Sequence, residues 1–224
     1  VVKKGERLFA ASTPAGPAFE GVGLTSGMMA IDGAIESVRI GEGKVEFDVI
    51  GGGEPLGICG SGYIDLLAEL IREGLIARDG RMRRGPSVRV RRGILEYVVA
   101  SGENEVVLSQ LDVRKLQLAI AAIKLTTKYL MNMAGISLEE VERLVVAGEF
   151  GYHLDPVNAM EIGLLPSVDP SQVEFIGNGS LTGAEMFMVS EEVRRKAYRL
   201  PALCRVVEVP RDQREFLREL RLSW

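Results

Sequence analysis

Residues 111–163 constrain the fold more than any other stretch. Apolar or small side chains recur at Val113, Leu116, Ile120, Ile123, Thr127, Leu130 and Ala134. Each step is three or four residues, which draws one stripe down a long amphipathic helix. Asp112 stands where an N-cap carboxylate would accept from an orphan backbone N–H. Gly135 stands where a left-handed residue would end the helix. Ser137-Leu-Glu-Glu140 is a capping box that starts a second short helix. The run Arg143-Leu-Val-Val-Ala147 is too short for another helix and rich in valine, so it reads as a buried strand. It leads into Gly148-Glu-Phe-Gly151, with a further helical turn over residues 158–162. Helix, strand, glycine turn and helix belong to an α/β fold, in which backbone N–H groups meet a ligand at a strand's carboxyl end. The alternative is that Gly148 and Gly151 only turn the chain.

With 224 residues, 46% of them hydrophobic, the chain can bury one good core, or one core and a small lobe. The net charge is −4 and the cations do not line one helix face, which argues against nucleic acid as a partner. The one basic run, residues 78–92, holds Arg81, Arg83, Arg84, Arg89, Arg91 and Arg92 around Gly85-Pro86. It reads as an exposed loop or hairpin, either a solvated charged edge or a dock for an acidic partner. Cys59 and Cys204 are too few for an iron–sulfur or four-cysteine site and do not form a secreted disulfide framework. One histidine, His153, excludes a His-rich metal centre within one chain. No apolar run reaches the roughly 18 residues that span a bilayer, and no signal peptide is seen. A cytoplasmic location is expected. The chain opens without Met, and Lys4-Gly-Glu6 reads as a hairpin turn whose first strand is mostly missing, as in part of a longer protein.

Elsewhere, residues 7–11 read as a strand opening into Ser12-Thr-Pro-Ala-Gly-Pro-Ala-Phe-Glu-Gly21, whose prolines and glycines impose a rigid loop. Ser12, Thr13 and Glu20 give that loop its polar groups. Residues 24–35 read as a short helix and 36–50 as a hairpin turning at Gly41-Glu-Gly43. Gly57-Ile-Cys-Gly-Ser-Gly62 precedes a helix over 63–74. It has neither dinucleotide nor P-loop spacing, so close packing of the helix start competes with a ligand loop. Cys59 within it reads as a structural thiol, or as one acidified by the helix start. A second hairpin covers 94–108. The remainder alternates helix and strand to the Asp212-capped last helix, implying a mainly parallel layered sheet.

Six stretches occur together in one order. They are Ala15-Gly-Pro-Ala-Phe-Glu-Gly21, Asp32-Gly-Ala-Ile-Glu-Ser-Val38, Gly57-Ile-Cys-Gly-Ser-Gly62 with Ile64-Asp65, Val146-Ala-Gly-Glu-Phe-Gly151, Ile162-Gly-Leu-Leu-Pro166 and Gly177-Asn-Gly-Ser-Leu-Thr-Gly-Ala184. Spanning nearly the whole chain, they resemble the carboxyl-terminal actin-like ATPase region of the reductive activators of corrinoid proteins. The resemblance implies a ribonuclease-H-like lobe of the acetate and sugar kinase, heat-shock chaperone and actin superfamily. Residues 22–110 would form an insertion with a β-hairpin and helical part, and residues 111–224 the nucleotide-side core. It implies ATP and Mg²⁺ in the complete protein and a corrinoid protein or corrinoid methyltransferase as partner. A homodimer is a further assembly to consider, and membrane and nucleic acid are not expected.

By the same resemblance, Gly148, Glu149, Phe150 and Gly151 would approach the nucleotide, and Ser12, Thr13 and Gly16 would line the interlobe cleft. Glu20 is the candidate for orienting water or Mg²⁺, or else a cap on the Gly21 turn. The family's Asp-x-Gly-Thr phosphate loops precede the region matching Arg7 and are absent, so this chain alone is not expected to hydrolyse ATP. The iron–sulfur cluster would lie in another domain. The residue at Glu149 is usually small in the family, and a carboxylate there would crowd or repel a nucleotide. The expected function is the carboxyl-terminal lobe of an ATP-dependent activator returning cobalt(II) corrinoid proteins to cobalt(I). The alternative is a docking or dimerisation module without nucleotide. A small-acid or sugar kinase would also need the absent phosphate loops.

Overall fold

A computed structural model gives the fold of residues 1–41, 43–148, 151, 153–210 and 212–224. The first part of the chain forms β1 (Val2–Lys4), β2 (Arg7–Ala10), β3 (Ala34–Gly41), β4 (Lys44–Val49), β5 (Gly57–Ile58) and α1 (Gly60–Arg72). A meander follows, β6 (Val88–Arg91), β7 (Ile94–Ala100) and β8 (Val106–Ser109), leading directly into α2 (Gln110–Ala134). The last part holds β9 (Leu144–Val146), α3 (Pro156–Glu161), β10 (Val173–Phe175), α4 (Gly179–Val189), α5 (Glu191–Leu203), β11 (Cys204–Val206) and α6 (Gln213–Glu219).

The long helix is capped three residues before the expected Asp112. Ser109 is the N-cap, its hydroxyl accepting from the Asp112 N–H at 3.2 Å, while the Asp112 carboxylate accepts from the Ser109 N–H at 2.9 Å and hydroxyl at 2.6 Å. The reciprocal box outcompetes a single cap, because it satisfies donors in both directions. Its other oxygen accepts from the Thr25 N–H at 2.9 Å, tying an irregular loop to the helix start. At the far end Gly135, with φ 63°, closes the helix as expected. The stripe is buried from Val113 to Ala134, with Ile123 and Thr127 half-buried. A second face is buried too: Gln117, Ala121 and Lys124 are covered as α6 packs against α2 and the chain end follows it.

Leu130 and Ala134 pack on Phe9, and Lys4 Nζ donates to the Gly135 carbonyl at 2.5 Å. Earlier in the helix, Ala122 and Thr126 border a cleft with Ser12. Helix α2 therefore runs antiparallel to β2. Lys4 also pairs with Glu140, at 3.4 Å, in the turn that precedes β9. Strands β2 and β9 thus set out from the same end of the molecule, with Ser12 and Gly148 beyond their far ends.

The parallel pairs expected in this half are present but divided. β10 pairs with β9, and β11 pairs not with them but with β2, in the register Cys204↔Leu8 and Val206↔Ala10. Two sheets result, β10-β9 and β1-β2-β11, in place of one layered sheet. Strand β9 is also less buried than its composition implies, Val145 being 44% exposed, because among the described residues it pairs with β10 alone.

The hairpins over 36–50 and 94–108 form as expected, β3 pairing with β4 and β7 with β8. Residues 24–33 do not form a helix. Ile58 N donates to Ser26 O at 2.7 Å and Met28 N to Ile58 O at 3.1 Å, so β5 takes the backbone groups a helix would need. Helix α1 begins at Gly60 and is buried nearly all round, including Tyr63, Ile64, Leu66 and Leu67. These residues join Leu116, Ile120, Ala159 and Leu222 in one core. From residue 167 to 221 no described residue is fully buried. Helices α4 and α5 leave Met188, Val189 and Tyr198 open, at 71%, 85% and 77%.

One buried network joins α1, α3 and β3. Asp65 accepts from Asn158 Nδ2 at 2.7 Å and from the Val38 N–H at 3.4 Å, and Asn158 accepts from Arg72 at 2.5 Å. Burial raises the Asp65 carboxyl above its ordinary value, and the Asn158 bond only partly opposes this. A folded-state value above the unfolded one means that the native state holds its proton to higher pH. Asp65 therefore subtracts stability once the pH passes the unfolded value, fully so above the folded one. Asp65→Asn should accordingly gain on the parent as pH rises from about 4 to 7. Urea midpoints of both proteins at the two pH values check this, and a gap independent of pH would refute it.

Candidate functional site

Two glycine-bearing loops lie at the carboxyl ends of the parallel pair β9 and β10. After β9 the chain turns at Gly148, whose φ of 106° is a conformation that side-chain-bearing residues rarely adopt. Its N–H donates to the Gly177 carbonyl at 2.7 Å, so the loop after β9 is bonded to the loop after β10. Gly151 N donates back to Gly148 O at 3.1 Å, and a Cβ at Gly151 would lie 2.5 Å from Val146 Cγ1. Gly151 is thus glycine for packing, whereas at Gly148 no described residue lies within 4 Å of where a Cβ would be. Beyond Gly177, Asn178 caps α4 by accepting from the Leu181 N–H at 3.0 Å. A strand end, a left-handed glycine and a capped helix start form a small backbone cradle of the kind that admits a polar ligand. Gly177 and Asn178 join the site beyond the residues that the sequence points to. Their signal was the strand-to-helix turn Phe175-Ile-Gly-Asn-Gly-Ser180, the counterpart of the turn after β9.

The loop after β2 takes up a different place. Ser12 and Pro14 border a cleft of about 820 Å³ with Ala122, Leu125 and Thr126 of α2, residues 206–210, and Phe216 and Leu217 of α6. The cleft is mainly apolar, with Asp212 and Glu208 at its polar part. Thr13 is half-buried, its carbonyl accepting from Ala15 N at 2.9 Å, and Gly16 is exposed with φ 69°. Glu20 is exposed at the end of the 3-10 turn Ala18–Glu20. Gly21 follows in a left-handed conformation, and a Cβ there would lie 2.4 Å from Met28 O. The turn that presents Glu20 is therefore fixed by close packing. Gly148 and Gly151 are brought together, and Ser12 is set against the exit of β11. Glu149 and Phe150 lie outside the described residues.

The thiol of Cys59 is buried, 3.3 Å from the Ser61 hydroxyl, and Cys204 is half-buried; neither forms a disulfide. His153, Glu36, Ser37 and Asp48 border a second, polar cleft of about 620 Å³. Among the described residues, no three His, Cys, Asp or Glu side chains are grouped to hold a metal ion, and no helix is long and apolar enough to cross a membrane.

The family model described as the C-terminal domain of RACo, the ASKHA domain, matches residues 1–222. The corrinoid activation enzyme RamQ of Eubacterium limosum is 39% identical over 222 residues, an alignment covering 92% of this chain and 37% of that enzyme. The [Co(II) methylated amine-specific corrinoid protein] reductase of Methanosarcina barkeri is 28% identical over 217 residues, covering 85% and 37%. A solved structure of a reductive activator for corrinoid, iron–sulfur protein superposes with a TM-score of 0.82 at 37% identity, covering 94% of this chain and 35% of that one. The chain therefore spans about 37% of the length of these curated relatives.

Proposed function

Because the chain belongs to the family of RACo C-terminal, ASKHA domains, we propose that it is the carboxyl-terminal lobe of an ATP-dependent activator that returns cobalt(II) corrinoid proteins to cobalt(I). The observation that carries this reading is the match over 222 residues to the corrinoid activation enzyme RamQ. The joined loops after β9 and β10 support it, since they offer a backbone cradle at strand carboxyl ends. One point of structure supports ATP in that cradle: none of the described residues stands within 4 Å of where a Cβ at Gly148 would be.

Gly148, Gly177 and Asn178 would hold the adenosine side of the nucleotide, with Gly151 shaping the loop from below. Ser12, Thr13 and Gly16 would face the cleft between lobes, and Glu20 would orient water or Mg²⁺ bound by the rest of the protein. ATP supplies, when hydrolysed, the free energy that makes a one-electron reduction of cobalt(II) favourable. The electron would come from an iron–sulfur cluster carried by another domain. The open face of α4, where Leu181, Met186, Met188 and Val189 are exposed and no residue is buried, would be covered by the remainder of the longer protein.

Cobalt(I) formation followed by visible absorbance, with the full-length protein, a low-potential reductant and its corrinoid protein, tests the proposal. Formation should need ATP, and Gly148→Val should raise the KM for ATP at least tenfold, by filling the cradle and straining a φ of 106°. Cobalt(I) yields equal with and without ATP would refute the activator reading.

A further inference from the structure

Residues 78–92 hold seven arginines and one aspartate in a chain whose totals are 27 basic against 31 acidic residues. The surface outside this segment is thus strongly acidic. Four of the arginines are neutralised within the fold. Arg78 pairs with Glu161, Arg81 with Asp79 at 2.6 Å, Arg89 with Glu96 at 2.7 Å and Glu105 at 2.5 Å, and Arg91 with Glu105 at 3.6 Å. Arg83, Arg84 and Arg92 are exposed, and among the described residues no carboxylate or carbonyl accepts from their guanidinium groups.

The backbone places these three deliberately. Arg83 N donates to Leu75 O at 2.7 Å, which pins the segment before β6. Ser87 and Arg92, which bracket β6, have φ of 58° and 52°; among the described residues they are the non-glycine positions with positive φ. Left-handed backbone at such residues persists where the surroundings enforce it. Arg83 and Arg84 therefore stand at one end of β6 and Arg92 at the other, with Val90 between them 53% exposed.

We propose that Arg83, Arg84 and Arg92 form a docking surface for a cluster of Asp and Glu side chains on the protein partner whose reduction is proposed above. The inference rests on that reading for the partner's identity, not for its chemistry. Guanidinium forks take carboxylates with two parallel hydrogen bonds, and Arg89 already does so here, its Nη1 and Nη2 each 2.5 Å from a Glu105 oxygen. An extended polyanion such as nucleic acid fits less well. The acidic remainder of the surface would repel it, and the segment has no aromatic residue on which a base would stack.

The test uses the full-length protein and its corrinoid protein, comparing the parent with R83E/R84E and R83K/R84K. In ATP-driven reduction, R83E/R84E should raise the KM for the corrinoid protein about tenfold with kcat unchanged, and R83K/R84K should restore part of the loss. The parent's KM should rise between about 50 and 300 mM salt, and that of R83E/R84E much less. A KM within twofold of the parent's, or a fall in kcat alone, would overturn the proposal. Direct binding measured by calorimetry separates the two claims. Weakened binding by R83E/R84E, with no ATP-driven reduction even in the parent, sinks the activator reading and upholds the dock. Equal binding by parent and variant overturns the dock, whatever reduction shows. Displacement of the partner by duplex DNA as readily as by polyglutamate also overturns it.

Discussion

Lys124→Ala is expected to destabilise the protein by about 2–4 kcal/mol, from the loss of charge-assisted hydrogen bonds and of a buried aliphatic stem. The ammonium is 1% exposed and has three partners near the end of the chain. It donates to Arg221 O at 2.6 Å and Ser223 O at 2.7 Å, and Glu219 lies at 3.3 Å. Alanine would take a donor from two carbonyls, of which the Arg221 carbonyl keeps the Ser223 N–H at 2.9 Å, and leave a carboxylate held by Lys128, at 2.9 Å. Burial lowers the Lys124 pKa and Glu219 only partly opposes it. The group is therefore costly to bury, and the two carbonyls and Glu219 offset part of that cost.

Around it the last residues are held from several sides. Gln117 donates to Leu220 O at 2.8 Å, Arg78 to Leu222 O at 2.8 Å, and the Lys128 ammonium lies 5.4 Å from the centre of the Trp224 ring. Because α6 supplies Phe216 and Leu217 to the wall beside Ser12, releasing the tail should also loosen that cleft. For a chain of this size the loss corresponds to a melting point lower by roughly 10 °C. Lys124→Met, which removes the buried charge but keeps the volume, should lose less than Lys124→Ala. Thermal melts of the two variants check both statements. A loss under about 1 kcal/mol for alanine would mean that Leu222 and the backbone contacts hold the tail without the ammonium.

Lys124 also shows which features a sequence leaves unread. Its position off the apolar stripe of α2 reads as solvent-facing. It is buried because residues nearly a hundred positions later fold back over it, and no local pattern encodes that return. Gln117 is covered for the same reason. Features that local chemistry decides were legible: the stripe itself, the left-handed Gly135, the box at Ser137 and Glu140, the two hairpins, and the Asp212 cap of the last helix. Where two local solutions compete, local sequence does not decide between them. Asp112 can cap a helix, but Ser109 three residues earlier forms the reciprocal box and prevails. Residues 24–33 are apolar enough for a helix, yet β5 takes their backbone groups. Strand partners were the least readable, since β11 matches β2 or β9 equally well by composition and joins β2. At the candidate site, the turn after β9 was legible as strand followed by glycine. Its bond to Gly177 was not, because it links two turns nearly thirty residues apart.

Gly62→Ala is expected to cost about 3 kcal/mol, although alanine is the better helix former by about 1 kcal/mol. A Cβ at Gly62 would lie 2.4 Å from the Ile35 carbonyl and 2.9 Å from Ile58 Cγ2. The first of these is strand backbone, which cannot rotate away. Helix α1 would be pushed off β3 and β5, and with it Tyr63, Ile64, Leu66 and Leu67, all buried to 1% exposure or less. Gly57 is in the same position, a Cβ there meeting the Ser26 carbonyl at 2.7 Å. Gly62 is thus explained by the approach of helix to sheet, and Gly57 by the approach of the Ser26–Met28 segment. Gly183, inside α4 with no described residue within 4 Å of a Cβ, supplies the contrast. There the same substitution should stabilise by up to about 1 kcal/mol. Urea denaturation of both variants reads the sign directly. Opposite signs would establish close packing as the reason for Gly62. A neutral or stabilising Gly62→Ala would show that α1 can stand further from β3 than the structure places it, and would return Gly57–Gly62 to the candidates for a ligand loop.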